Sequence, residues 1–149
     1  MRINQPYGSK ERLFEMFRKV GGVINEEVLP DDKKKMVIED FIMFACNHLG
    51  FDPNEANVEL SYDPKEAASM HSFGKQTPDT GVIRVVVVNR NLADVLRTLA
   101  HELVHRKQQL EDRLYTGAGE DGSDIENEAN AEAAVIMRKF GKANPIIFE

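Results

Sequence analysis

Residues 98–105 constrain the fold of this chain more than any other stretch, because two histidines, His101 and His105, lie four residues apart there. Apolar residues recur around the pair at helical spacing and predict an amphipathic helix. They are Leu92, Val95, Leu96, Leu99, Leu103 and Leu110. On such a helix both imidazoles leave one face about 6 Å apart, nearly opposite the apolar stripe, and can bind one metal ion. We therefore expect one side of the helix to lie in the core and the histidines to face a cleft or a second layer.

Glu102 directly follows His101, so on the same helix it is turned by about 100° and flanks the His105 side of the metal-binding face. Its carboxylate is therefore expected beside a bound ion rather than on it. A hydrolytic zinc needs such a group, because the bound water must lose a proton to a nearby base. Glu102 is the predicted general base.

A third metal ligand has to come from elsewhere in the chain, because a catalytic zinc usually has three protein ligands and a water. No histidine follows His105, and the only cysteine is Cys46. The candidates are carboxylates on a last helix, predicted over residues 124–140: Glu126, Glu128 and Glu132.

A helical wheel separates these three carboxylates. Glu126 falls on a face made of alanines and larger apolar residues, with Asn130 at its edge. Glu128 falls on the charged face, whose other members are Arg138, Lys139 and Lys142. Glu132 lies between the two faces. Because small residues let two helices approach closely, Glu126 is the preferred ligand, and Asn130 could accept a hydrogen bond from a zinc histidine.

Two alternatives to Glu126 as the third ligand remain open. Ser123 and Glu126 also fit a capping box, in which the glutamate only satisfies the start of the helix. Glu128 is the alternative ligand. The choice depends on which face of the last helix packs against the histidines.

The histidine helix resembles that of the HExxH zinc metallopeptidases. The residues that agree with the extended pattern of this family are Thr98, Leu99, Ala100, Leu103 and Val104. Arg106 and Lys107 stand where the family usually has uncharged residues. The resemblance implies a zincin-like fold with a zinc cofactor held by the two histidines.

Residues 126–133 are similar to the glutamate helix of gluzincin-type peptidases, especially the ImmA/IrrE-like group, whose pattern is Glu-x-x-Ala-[Asp/Asn]-x-x-Ala. That register implies Glu126 as the zinc ligand and Asn130 as a residue that supports a ligand. A thermolysin-like register would instead make Glu128 the ligand, with Glu132 behind it. The resemblance covers roughly residues 82–140.

These residues together predict a zinc-dependent metallopeptidase that acts on a peptide or protein substrate, with Glu102 moving the proton from water to the leaving amine. The alternative is a non-catalytic interaction or regulatory protein that contains zinc, although metal binding alone does not need Glu102. A zinc amidohydrolase such as peptide deformylase also has HExxH, but it takes a cysteine ligand, and Cys46 lies inside a helical pattern. His71, Arg84 and Tyr115 are candidates for stabilising an oxyanion, and for each a structural role is expected.

Composition sets the broad class of the protein. The chain has 149 residues, of which 42% are hydrophobic and 30% charged, as in one globular domain. A formal net charge of −6 argues against a nucleic-acid partner bound through a general basic surface. No apolar run has the length of a membrane span, and the first residues lack an apolar signal core, so a cytoplasmic protein without membrane contact is expected.

The predicted fold is α+β and zincin-like, a single domain over residues 1–149. A helical part over residues 1–50 precedes a sheet and two zinc-binding helices over residues 57–149. The predicted elements are helices at 10–20 and 31–49, a strand at 57–62, a hairpin of 72–76 and 82–88, the histidine helix from residue 92, a glycine-rich loop at 116–123, and a helix at 124–140 ended by Gly141 with an extended tail.

Overall fold

The structure is a computed structural model that describes residues 31–66, 68, 73–77, 80–114 and 122–148. Within them the fold is α+β, as predicted. The elements are helices α1 (Asp31–Leu49), α2 (Leu92–Leu110) and α3 (Asp124–Ala143), strands β1 (Asn57–Ser61), β2 (Gly74–Gln76) and β3 (Val82–Val86), and 3-10 helices at Pro53–Glu55 and Pro145–Phe148. The predicted helix at 10–20, most of the glycine-rich loop, His71 and Tyr115 lie outside the described residues. No described helix combines the length and apolarity needed to cross a membrane.

The strands form a mixed sheet in the order β1-β3-β2. β3 pairs antiparallel with β2 through the predicted hairpin, whose turn includes Gly81 at a φ of +71°. β1 lies parallel to β3 on its other side, with Val58 opposite Ile83. Ile83 and Val85 are fully buried, as the apolar run of β3 predicts for a covered sheet.

Helix α2 packs against β2 and β3 on one side and against α1 and α3 on others. The side chains of Leu96, Leu99 and Leu103 are fully buried, which confirms the predicted apolar stripe. Leu110 was assigned to the same stripe, and this is wrong: it is 43% exposed, because α2 ends at this residue. The stripe anchors the helix while its other face remains available for polar groups.

Helix α1 lies behind α2 and α3 and has the bounds expected from the sequence. It ends at Leu49, where Gly50 takes a φ of +84° that favours glycine. Phe41 is fully buried and contacts the edge of the Phe140 ring of α3, with ring centroids 5.0 Å apart. These contacts fix α3 in the same core as α2.

The end of α3 differs from the prediction. Gly141 does not stop the helix, which continues to Ala143. Gly141 is buried because the ring of Phe148 lies where a Cβ would be. The tail is also not extended, since Pro145–Phe148 forms a 3-10 helix that buries Ile146 and Ile147. Here a glycine serves close packing rather than chain reversal.

Candidate metal centre

Helix α2 holds the two histidines on one face. The Asn91 side chain caps its start by accepting a hydrogen bond from the Asp94 N–H at 2.9 Å. His101 and His105 lie one turn apart with their Nε2 atoms 3.1 Å apart and their rings nearly perpendicular. Both imidazoles therefore converge on one point rather than pointing separately into solvent.

Glu126 of α3 completes this convergence. One carboxylate oxygen lies 2.8 Å from His101 Nε2 and the other 3.2 Å from His105 Nε2. The three side chains are between 14% and 21% exposed, so they are partly shielded from water yet reachable. Within the described part of the chain, these three residues are a group that could hold a metal ion.

The start of α3 aims this carboxylate at the histidines. Ser123 Oγ accepts a hydrogen bond from the Glu126 N–H at 3.1 Å, which is half of the capping box considered from the sequence. The carboxylate of Glu126 itself lies against the two imidazoles. The cap and the histidine contact are therefore compatible.

The other candidate carboxylates of α3 lie elsewhere. Glu128 accepts hydrogen bonds from both terminal nitrogens of Arg113, at 2.9 and 2.5 Å. This ion pair holds the pKa of Glu128 below its usual value. Glu132 lies 3.3 Å from the ring of His48 on α1. Neither is among the groups that face His101 and His105.

The geometry of the three groups can be compared with a zinc site. Zinc at about 2.0–2.1 Å from its ligands with tetrahedral angles keeps ligand atoms about 3.3 Å apart. Here the two Nε2 atoms are 3.1 Å apart, and different oxygens of Glu126 lie 2.8 Å from His101 Nε2 and 3.2 Å from His105 Nε2. One ligand atom from each of the three residues lies within 4.8 Å of the others. Two imidazole nitrogens and a carboxylate oxygen are also a donor set that zinc accepts. The residues present therefore fit the ion.

Asn130 lies one turn after Glu126 and contacts His101. Its side chain hydrogen-bonds with the His101 ring, an arrangement that would raise the pKa of the imidazole. Burial and the neighbouring His105 ring outweigh this and lower the pKa of His101 below its usual value. A neutral imidazole is the form that can bind a metal.

Gln108 is a site residue that the sequence reasoning missed. Its side chain is fully buried, and its Oε1 lies 2.8 Å from Nδ1 of His105. Its Nε2 lies 3.1 Å from the carbonyl oxygen of Ile125 and 3.3 Å from a carboxylate oxygen of Glu128. The only signal in the sequence was a polar residue three positions after His105, on a helix whose inward partners were not known.

A cleft of about 310 Å³ opens beside the histidines. Its lining residues are Phe73, Gly74, Arg97, Thr98, His101, Glu102 and Asn130. Glu102 is only 8% exposed and lies so close to β2 that a Cβ on Gly74 would sit 3.2 Å from its Cγ. A buried carboxylate thus lines the same cleft as His101.

Arg90 supports one wall of this cleft, and sequence reasoning missed it as well. Its guanidinium stacks over the Phe73 ring at 4.3 Å and donates to Thr98 Oγ1 at 2.6 Å. It also donates to the carbonyl oxygen of Val86 at the end of β3. One arginine therefore joins the sheet, Phe73 and the first turns of α2.

Several residues singled out from the sequence have structural contacts away from the histidines. Arg106 donates to the carbonyl oxygen of Glu55 at 2.7 Å and joins α2 to the 3-10 helix before β1. Arg84 binds Glu59 at 2.6 Å and also Glu66, a pair that holds the pKa of Glu66 below its usual value. Cys46 is fully buried in the core, where burial raises the pKa of its thiol to about 12. It is not part of the group at His101.

The chain finds no match among protein-family models, curated proteins or solved structures. Its function therefore has to be inferred from the residues of the site.

Proposed function

We propose that the protein is a zinc-dependent peptidase of the gluzincin type, in which His101, His105 and Glu126 hold the metal. The observation that supports this most is the convergence of two Nε2 atoms and a carboxylate to within 3.2 Å of one another on two packed helices. The partly exposed setting beside a cleft suits a substrate-accessible zinc rather than an enclosed structural one.

The close approach of the two rings suits a bound cation. The Nε2 atoms of His101 and His105 are 3.1 Å apart, so two imidazolium ions at these positions would repel each other. Glu126 offers a single carboxylate to both rings. A cation bound through both Nε2 lone pairs and this carboxylate would leave the two rings neutral and avoid the repulsion.

Glu102 is the residue that supports turnover as well as binding. Zinc at this site would supply a Lewis acid that polarises a carbonyl and lowers the pKa of water. The Glu102 carboxylate would take the proton of the attacking water and pass it to the leaving amine. Its burial against Gly74 fixes the carboxylate in the cleft.

The proposed activity is tested by Glu102→Gln in the zinc-loaded protein. Glutamine keeps the shape of the side chain but cannot accept a proton, so zinc should be retained. Cleavage of a broad peptide library, measured by mass spectrometry, should fall by roughly two to four orders of magnitude. Glu59→Gln is a matched control, because Glu59 is 48% exposed and pairs with Arg84 rather than with the site.

The same experiment distinguishes the two candidate functions. Equal cleavage by the wild type and Glu102→Gln would remove Glu102 from the mechanism. A wild-type protein that binds one zinc but cleaves no peptide would favour a zinc-containing interaction or regulatory protein.

A further inference from the structure

We propose that Gln108 is a positioning residue that sets two of the three metal ligands at once, His105 through its ring and Glu126 through the backbone before it. This inference rests on the metal site of the proposed function. Gln108 contacts Nδ1 of His105 rather than the Nε2 atom that faces Glu126. Its role is to fix where those atoms point.

The first half of this role is the choice of tautomer at His105. The amide of Gln108 can face the ring in only one sense, because its NH₂ group satisfies two acceptors, the Ile125 carbonyl and Glu128. Its oxygen therefore accepts from Nδ1–H of His105 at 2.8 Å. The proton stays on Nδ1, and Nε2 keeps the lone pair that a metal needs.

The second half is the position of α3. The Ile125 carbonyl that accepts from Gln108 at 3.1 Å belongs to the residue immediately before Glu126. Gln108 is fully buried, so this hydrogen bond forms away from water. The amide thus ties the first turn of α3 to the histidine turn of α2, at the level where Glu126 meets the imidazoles.

Arg113 and Glu128 fix the side-chain amide of Gln108 on the side away from His105. Arg113 follows α2 and binds both carboxylate oxygens of Glu128, at 2.9 and 2.5 Å. The same carboxylate accepts from Gln108 at 3.3 Å. The chain of contacts runs from Arg113 through Glu128 and Gln108 to His105, so Glu128 supports the site without binding metal.

The test uses Gln108→Leu in the full chain, with two readouts. Leucine keeps the volume but removes the acceptor, so the His105 ring should become a mixture of tautomers in the metal-free protein. Long-range ¹H–¹⁵N correlation spectra of the histidine rings report this directly. Zinc affinity, measured by competition with a chelator, should fall about 10- to 100-fold.

A second variant keeps the test informative if Gln108→Leu does not fold. Gln108→Glu combined with Glu128→Gln exchanges the acceptor and donor while the net charge stays the same. The new carboxylate still accepts from His105 Nδ1–H but cannot donate to the Ile125 carbonyl. This variant should therefore keep the wild-type tautomer while its zinc affinity falls below that of the wild type. Gln109→Leu is the matched control, since the Gln109 side chain accepts from Arg106 at 2.6 Å.

The outcomes separate the two proposals. Wild-type zinc affinity and an unchanged Nδ1–H tautomer in folded Gln108→Leu would overturn the role of Gln108 and leave the peptidase proposal standing. An Nε2–H tautomer in the double variant would overturn it as well. A wild type that binds no zinc would contradict the proposed function, whereas the tautomer comparison in metal-free protein still decides the role of Gln108.

Discussion

Glu126 and Glu128 are two residues apart, yet they have different partners. Side chains two residues apart on an α-helix point in directions that differ by about 200°, so the two carboxylates leave nearly opposite sides of α3. One lies against the imidazoles of His101 and His105, and the other binds Arg113. The ligand role therefore depends on which side of the first turns of α3 faces the histidines.

We predict that Glu126→Ala weakens zinc binding far more than Glu128→Ala. The first change removes a carboxylate that faces both histidines, and a two-ligand site holds zinc poorly. The second removes a partner of Arg113 and one acceptor of Gln108, so the loss of affinity should stay within about tenfold. Zinc titration of both variants measures the difference. A larger loss in Glu128→Ala would support the other register.

A regular helix fixes the direction of each side chain from its position alone, so the sequence distinguishes the two glutamates. The role of Gln108 does not follow from the sequence, since a buried glutamine is recognised only through its partners, and two of these lie on α3. The role of Arg90 was not predicted for the same reason, because its contacts join the end of β3, Phe73 and Thr98. Contacts inside one element follow from sequence, whereas contacts between elements require their packing.

Strand β2 approaches α2 closely at Gly74. A Cβ there would lie 2.5 Å from Cγ2 of Thr98 and 3.2 Å from Cγ of Glu102. Both of these side chains line the cleft. The absence of a side chain at this position therefore allows Glu102 to sit under the strand.

Gly74→Ala should for this reason impair cleavage more than zinc binding. The added methyl group displaces Thr98 and Glu102, to which its three nearest atoms belong, rather than His105 or Glu126. Displacements of about 1 Å in a catalytic group can cost on the order of 100-fold in rate. Kinetics and zinc titration of the same preparation separate the two effects. Unchanged kcat/KM would show that Glu102 tolerates the methyl group without loss.

Glycines also account for one wrong prediction at this scale. Gly141 was expected to end α3, because glycine often follows the last helical residue. In the structure the missing side chain makes room for the ring of Phe148, which packs back from the 3-10 helix. The sequence alone does not distinguish a glycine that reverses the chain from one that admits a neighbour.

In the described part of the molecule, α2 is the central element, which contacts the other two helices and two of the strands. It packs against β2, β3, α1 and α3, and it meets α3 at the histidines. The alternating and helical patterns predicted these elements and most of their limits. The parallel pairing of β1 with β3 was not predicted, because strand order depends on contacts between distant residues that no local pattern records.

Anomalous X-ray diffraction at the zinc edge, from crystals grown with zinc, tests the central claim most directly. We predict one strong peak about 2.0–2.2 Å from Nε2 of His101, Nε2 of His105 and a carboxylate oxygen of Glu126. The claim would be contradicted by density that leaves His101 and His105 hydrogen-bonded to Glu126 with no ion between them, or by a zinc held at Glu128 instead.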